Sequence, residues 1–319
     1  MVTTTENRPD VAGGPAEAPA ATAPAPTTAA GPAPVNAPTP RGPGAAARFL
    51  LHLPPFGVLL SIALVTAAIV AAFVPDAIAP YSPIEGEILD KLLPPDATHL
   101  FGTDHLGRDV FSRVVHGSAL SLQATAIAVG LALGVGSLLG LLAGFVGGLV
   151  DTIIMRVVDV LLAIPSLLLS LAVVASLGFG IRNVAIAVGI GSVASFARVT
   201  RAEALRVRGS DYVEAARILG ANKTTTVLRH GVPNSIGPAI VLAALELGYA
   251  VLAVSALSYL GYGEPPPAPE WGKIVAEGRN YLPAAWWITA LPSAVIAAVV
   301  LSMNRISRWL DTVLGGAAR

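Results

Sequence analysis

The chain has 319 residues, 54% of them hydrophobic and 13% charged, with a formal net charge of zero. That is too apolar for a soluble domain of this length and predicts an all-α protein of the bilayer. Zero net charge removes the global field that would draw in nucleic acid, and the lack of cysteine excludes disulfides, thiolate metal sites and cysteine nucleophiles.

Residues 1–48 are Ala, Pro, Thr and Gly with hardly a branched apolar side chain. Such a segment buries too little surface to offset its ordering entropy, so a disordered tail is expected. It has no apolar core after a basic start and does not read as a signal peptide. Residues 49–117 form the next unit. Phe56 to Val74 carries no charge and is long enough to cross the hydrocarbon as a first span, closed by Pro75. A polar, proline-rich loop outside the membrane follows. It ends in Phe101-Gly102-Thr103-Asp104-His105-Leu106-Gly107-Arg108-Asp109-Val110-Phe111-Ser112-Arg113. Here Asp104, Arg108 and Asp109 are expected to make a charge-paired turn, with Gly102 and Gly107 at positive φ, acting as a structural clasp rather than a substrate contact.

Residues 118–310 form a five-helix core. In the second span, 118–147, Gly130 and Gly134 are four apart, and Gly136, Gly140, Gly144 and Gly148 repeat the spacing, which predicts a closely packed interior helix. The third span, 152–177, carries Arg156 and Asp159 at i,i+3 pairing distance and Pro165 inside, where the helix should kink or break. A fourth span covers 184–199. The fifth, 236–260, holds Glu246 near its middle, an intramembrane acid and thus, with Pro165, a candidate pathway residue. The sixth, 286–303, opens on Trp286 and Trp287 as interfacial anchors.

Between the fourth and fifth spans lies a charged insertion, residues 206–233. Asp211 is placed to N-cap a short helix with Glu214 three residues on, the capping-box spacing. Gly220 is placed to end it, and a basic second helix from about Lys223 to His230 should stop at Pro233. With six spans and both termini inside, fourteen of the twenty Lys and Arg fall on the cytoplasmic side, this insertion among them.

Three stretches carry a family resemblance. Glu214-Ala215-Ala216 with Gly220 and then Val232-Pro233 resembles the EAA loop of bacterial ABC importer permeases. The 101–113 run resembles the FGTD-x-LGRD-x-x-SR signature of the C-type permease in dipeptide, oligopeptide and nickel importers, and Leu257 to Gly272 resembles that family's LSFLGLG-x-x-PP-x-P-x-WG stretch. The resemblance covers roughly residues 49 to 310 and implies the ABC importer permease fold in the cytoplasmic (inner) membrane, with a coupling helix. Asp211, Tyr212, Glu214, Ala215, Ala216, Gly220 and Ala221 would then dock an ATPase. The implied partners are a homologous B-type permease, two ATPase subunits that bind ATP and Mg, an extracytoplasmic binding protein, a peptide substrate and membrane lipid. Three departures stand out, the first near the end of the chain, where Asn304-Arg305-Ile306-Ser307-Arg308 stands in place of the family's common Gly-Asp-x-Leu-Arg-Asp run. Gly231 replaces a branched apolar residue, which predicts looser packing, and Val254 replaces a common glutamate, with Glu246 two turns earlier.

No enzyme is expected. The chain has no GxxxxGK[ST] run to cradle ATP, and its five histidines have no zinc spacing, so it binds no cofactor or metal of its own. The competing readings are an ion-coupled transporter using Glu246, nickel or haem import by the same architecture, and a membrane scaffold or receptor without transport.

Overall fold

The computed structural model describes residues 54–218, 222 and 227–315. The tail 1–48 and the expected docking positions Gly220 and Ala221 lie outside the described residues. Among the described residues the architecture is entirely helical. Five helices are long and apolar enough to cross a membrane, and a bent pair makes a sixth span if counted as one.

Helix α1 (Phe56–Phe73) buries only Val58, Ser61 and Ala71, and packs on α2 and the last long helix. Helix α2 runs Val110–Val146, beginning about two turns before the span expected at 118. The polar residues Ser112, Arg113 and His116 made that stretch read as loop. They are tolerated in a helix because each finds a partner outside it, and Asp109 caps the start by accepting the Ser112 N–H at 2.7 Å.

The core lies where α2 meets α5 (Ile181–Arg208), the most buried of the long helices. Gly140 shows why the pair is so close: a Cβ there would stand 2.5 Å from the Ala197 carbonyl oxygen. Gly136 and Gly144 meet Phe196 and Ala204 in the same way, whereas Gly130, Gly134 and Gly148 face open space. The expected six-glycine series is therefore a three-glycine contact. Gly134 is two residues out of phase with the 136/140/144 row, which puts it on the opposite face of the helix, and Gly148 lies past the helix end. The helix α5 also continues about two turns beyond the span expected to end at 199, carrying Arg201, Arg206 and Arg208.

The third span is two helices, α3 (Gly148–Ala163) and α4 (Ser166–Leu177), bent by 97°. Ile164, before the proline, is extended (φ −95°, ψ 130°), because the Pro165 ring disfavours helical geometry in the preceding residue. The expected Arg156–Asp159 pair does not form. Asp159 pairs instead with Arg198 of α5 at 2.6 Å, and Asp151 with Arg201 at 2.7 Å, so both acids of α3 tie it to α5.

In the insertion, α6 spans Asp211–Ile218. Its backbone start is Ser210, whose carbonyl accepts from Val213 and Glu214; Asp211 is a first-turn residue and not the N-cap. Of the expected second helix, residues 223–226 lie outside the described residues, and Val227–Gly231 forms a π-turn, followed by the short α7 (Val232–Ser235). Pro233 opens α7 rather than stopping a helix, since the missing N–H has no partner to lose at that position. Nor is Gly231 loosely packed. It is buried under the Phe145 ring, which would sit 2.7 Å from a Cβ.

Helices α8 (Gly237–Tyr259), α9 (Trp271–Gly278) and α10 (Trp287–Gly315) complete the fold. Only one of the two expected tryptophan anchors is exposed. Trp286 is open, whereas Trp287 is buried and its Nε1–H donates to the Thr103 carbonyl at 3.2 Å.

Candidate functional site

Three clusters hold the residues singled out from the sequence: one at the loop end of the bundle, one in its middle and one at the opposite end. At the loop end, Gly102 and Gly107 take φ of 70° and 79°, and the chain between them folds back so that Asp104 is fully buried. Its carboxylate accepts the backbone N–H groups of Leu106 and Arg108, the Arg108 Nε–H at 2.7 Å and an Arg113 Nη1–H at 2.7 Å. Both arginines also reach Glu277 on α9, at 3.1 and 2.8 Å. Two buried guanidinium groups are thus neutralised by the buried Asp104 and the half-buried Glu277, which is the condition for a buried charge to be tolerated.

Thr103 adds a second tie, donating to the Asp90 carbonyl and accepting the Leu93 N–H at 2.8 Å. Asp109, expected beside Arg108, pairs instead with His99 at 3.0 Å while it caps α2. His116 likewise meets Asp76 at 3.1 Å. Sequence reasoning missed Glu277 and both His–Asp contacts, because Glu277 and Asp76 are distant in the chain from their partners and His99 lies just outside the 101–113 run.

Glu270 at the start of α9 is fully buried. Its Oε1 accepts the Gly272 N–H at 3.2 Å, while Oε2 and the nearby Ser258 hydroxyl have no hydrogen-bond partner among the described residues. Burial pushes this carboxyl up to about 7, with the Gly272 N–H and Lys273 offsetting only part of the effect.

In the middle of the bundle, Glu246 of α8 accepts the Ser192 hydroxyl of α5 at 3.0 Å. One turn along α8, the Tyr249 hydroxyl meets Ser166 at 2.6 Å. Ser166 is the first residue after the break at Pro165, so the 97° bend delivers a hydroxyl to α8. The two pairs form a polar seam between α4, α5 and α8 inside an otherwise apolar core. Glu246 and Pro165 were legible in the sequence; Ser166, Ser192 and Tyr249 were not, because serine and tyrosine in an apolar span carry no pattern of their own.

At the opposite end, α6 buries Val213 and exposes Asp211, Glu214 and Ile218. Glu214 and Ile218 line a recess with Arg208 and Gly209. Tyr212, Ala215 and Ala216 lie within the same helix. Only Gly209 and Ser210 separate α6 from α5, and Arg208 anchors the junction by donating to the Gly144 carbonyl near the end of α2 at 3.2 Å.

The family model described as "Binding-protein-dependent transport system inner membrane component" matches residues 136–314. A probable D,D-dipeptide transport system permease protein of Escherichia coli is 40% identical over 86% of this chain and 93% of its own length. A di/tripeptide transport system permease protein of Pseudomonas aeruginosa is 42% identical over 81% of this chain and 86% of its own. A glutathione transport system permease protein of Shigella flexneri is 41% identical over 82% and 86%. Among solved structures, a chain of the MetNI methionine ABC transporter in inward-facing conformations aligns over 62% of this chain and 96% of its own, with 18% identity and a TM-score of 0.48.

Proposed function

This chain belongs to the family of binding-protein-dependent transport system inner membrane components, permease subunits that work with an ATPase and a binding protein in ABC importers, and from that premise we propose that its cargo is a short peptide. The peptide reading rests on the relatives, which are named for dipeptides, di/tripeptides and glutathione and match over more than four-fifths of the chain. In this reading the chain pairs with a homologous B-type permease, two ATPase subunits bind ATP and Mg, and an extracytoplasmic binding protein delivers the peptide. Both termini and α6 face the cytoplasm, as the excess of Lys and Arg at that end favours.

The observation that carries the docking assignment is the face of α6. Val213 anchors the helix while Glu214 and Ile218 project outward beside an open recess, a short amphipathic helix offering its outer side to a groove. Asp211, Tyr212, Ala215, Ala216, Gly220 and Ala221 complete the docking stretch. Movement of the ATPases would pass from α6 through the two-residue junction into α5, and the Asp151–Arg201 and Asp159–Arg198 pairs would carry α3 along with it. Glu246 and the break at Pro165 then lie where α4, α5 and α8 meet, as the polar lining of the pathway. A rigid-body change of this kind, driven by a ligand bound elsewhere, is an allosteric coupling. The ion-coupled alternative built on Glu246 is not favoured, since the relatives that cover most of the chain are transport-system permeases.

The test is Glu214→Lys, which puts the wrong charge in the first turns of α6. It is expected to lower ATPase co-purification and peptide uptake at least tenfold while the permease still inserts. Unchanged co-purification together with unchanged uptake would sink the docking assignment.

A further inference from the structure

A pocket of about 460 Å³ opens at the loop end of the bundle, between α2, the α4–α5 turn and the segment after α8. That volume lies in the range of small-molecule sites. Its walls carry three polar side chains of different kinds. Gln123 is exposed and is the only amide in the whole of α2. Arg182, in the first turn of α5, is exposed and makes no hydrogen bond or ion pair among the described residues. Glu264 spends Oε2 on the Ile181 N–H at 3.1 Å, and its Oε1 has no hydrogen-bond partner among the described residues. Arg182 and Glu264 line one pocket without pairing with each other, so the site presents a cation and a carboxylate held apart.

The frame that holds them is built. The Asn183 side-chain amide donates to the carbonyls of Leu177, Gly178 and Phe179, which fixes the turn before α5. Lys273 donates to the Glu264 carbonyl at 2.7 Å, which fixes the opposite wall. Phe179 stacks on Tyr262 at 5.8 Å and, with Leu120 and Ile127, supplies apolar flanks. Separated opposite charges, an amide and apolar flanks match a zwitterion with a short polar backbone and side chains.

We propose that this pocket is a receiving site for the free termini of the peptide, with Arg182 taking the carboxylate and Glu264 the ammonium, so that the permease itself selects unblocked short peptides. The proposal rests on the peptide-import reading above. A guanidinium forks onto a carboxylate in bidentate geometry, and a hydrogen bond to a charged group is strong enough for each contact to be felt in the transport rate.

The test uses the complete complex in proteoliposomes with saturating peptide-loaded binding protein, recording both stimulated ATP hydrolysis and peptide imported per ATP. Arg182→Gln and Glu264→Gln are each expected to lower peptide per ATP about tenfold while stimulated hydrolysis persists. Glutamine at 264 keeps an acceptor for the Ile181 N–H. Arg182→Lys, which retains the charge, should recover most of the loss, an outcome a purely structural arginine would not give. If peptide per ATP stays at the wild-type level in both single variants and in the double variant, the proposal is overturned; an Arg182 that merely holds a lipid phosphate predicts that result. A loss in stimulated hydrolysis equal to the loss in import would also overturn it, by assigning these residues to assembly. Failure of the wild-type complex to import any peptide would instead overturn the peptide reading, and is recognised before any variant is made.

Discussion

The two ends of the bundle treat their charges in opposite ways. At the loop end, Asp104, Arg108, Arg113 and Glu277 are drawn inward and spent on one another, and Glu270 is sealed in beside them. At the α6 end, Asp211, Glu214 and Ile218 are turned outward, while Val213 is buried. A charge buried against an internal partner locks neighbouring elements together, here α2 to α9. An exposed charge beside an exposed apolar residue contributes little to the fold of its own chain and is available to another. Substitutions in the buried network should therefore act on stability, and substitutions on the exposed face of α6 on assembly.

The largest effect expected on stability is that of Asp104→Asn. It leaves the Arg108 and Arg113 guanidinium groups facing an amide in a buried site, and removing one partner of a buried ion pair costs about 3–5 kcal/mol. Thermal unfolding of the purified complex should show a large drop in Tm; a drop no bigger than that of a surface variant would mean the network does not hold α2 to α9.

Glu270→Gln is next, and it depends on pH. Because the folded-state value near 7 lies above the ordinary carboxylate value of 4.5, the folded protein holds the extra proton between those limits. Stability of the wild type should thus fall as pH rises from about 4.5 to 7 and stay level above it. Glutamine keeps the acceptor for the Gly272 N–H and carries no charge, so the variant should match the wild type below the window and exceed it at pH 8 by about 1–3 kcal/mol. Parallel Tm profiles for the two proteins from pH 5 to 8 would remove Glu270 as the source of the slope.

Smallest of the three is Ile218→Asp on the exposed face of α6. Its stability should stay within about 0.5 kcal/mol of wild type, as for other surface positions, while ATPase co-purification falls. A loss of Tm comparable to that of Asp104→Asn would erase the contrast between the two ends.

Much of the fold was legible in one dimension. An uncharged run such as 56–73 has no other stable place than the hydrocarbon, and Pro165 cannot continue a helix without breaking its backbone ladder. Element ends were less legible. α2 begins at Val110 and α5 ends at Arg208 because Arg113, His116 and Arg201 are satisfied by Asp104, Asp76 and Asp151, and the last two of these acids are 40 and 50 residues from their partners. The same holds for the sites. The signature at 101–113, Glu214 and Glu246 could be named from the sequence, but Glu277, Ser192, Tyr249 and the Arg182–Glu264 pocket could not.

What the sequence determined by itself is the set of local and additive properties: which segments prefer lipid, where a proline or glycine permits a turn, and on which end the positive charge accumulates. Only the tertiary structure decided which glycines of α2 meet α5, which acid each arginine holds, and which tryptophan is core. Those outcomes depend on helix phase and on contacts between residues far apart in the chain, and a run of side chains fixes its own periodicity without fixing the face that a distant partner will present to it.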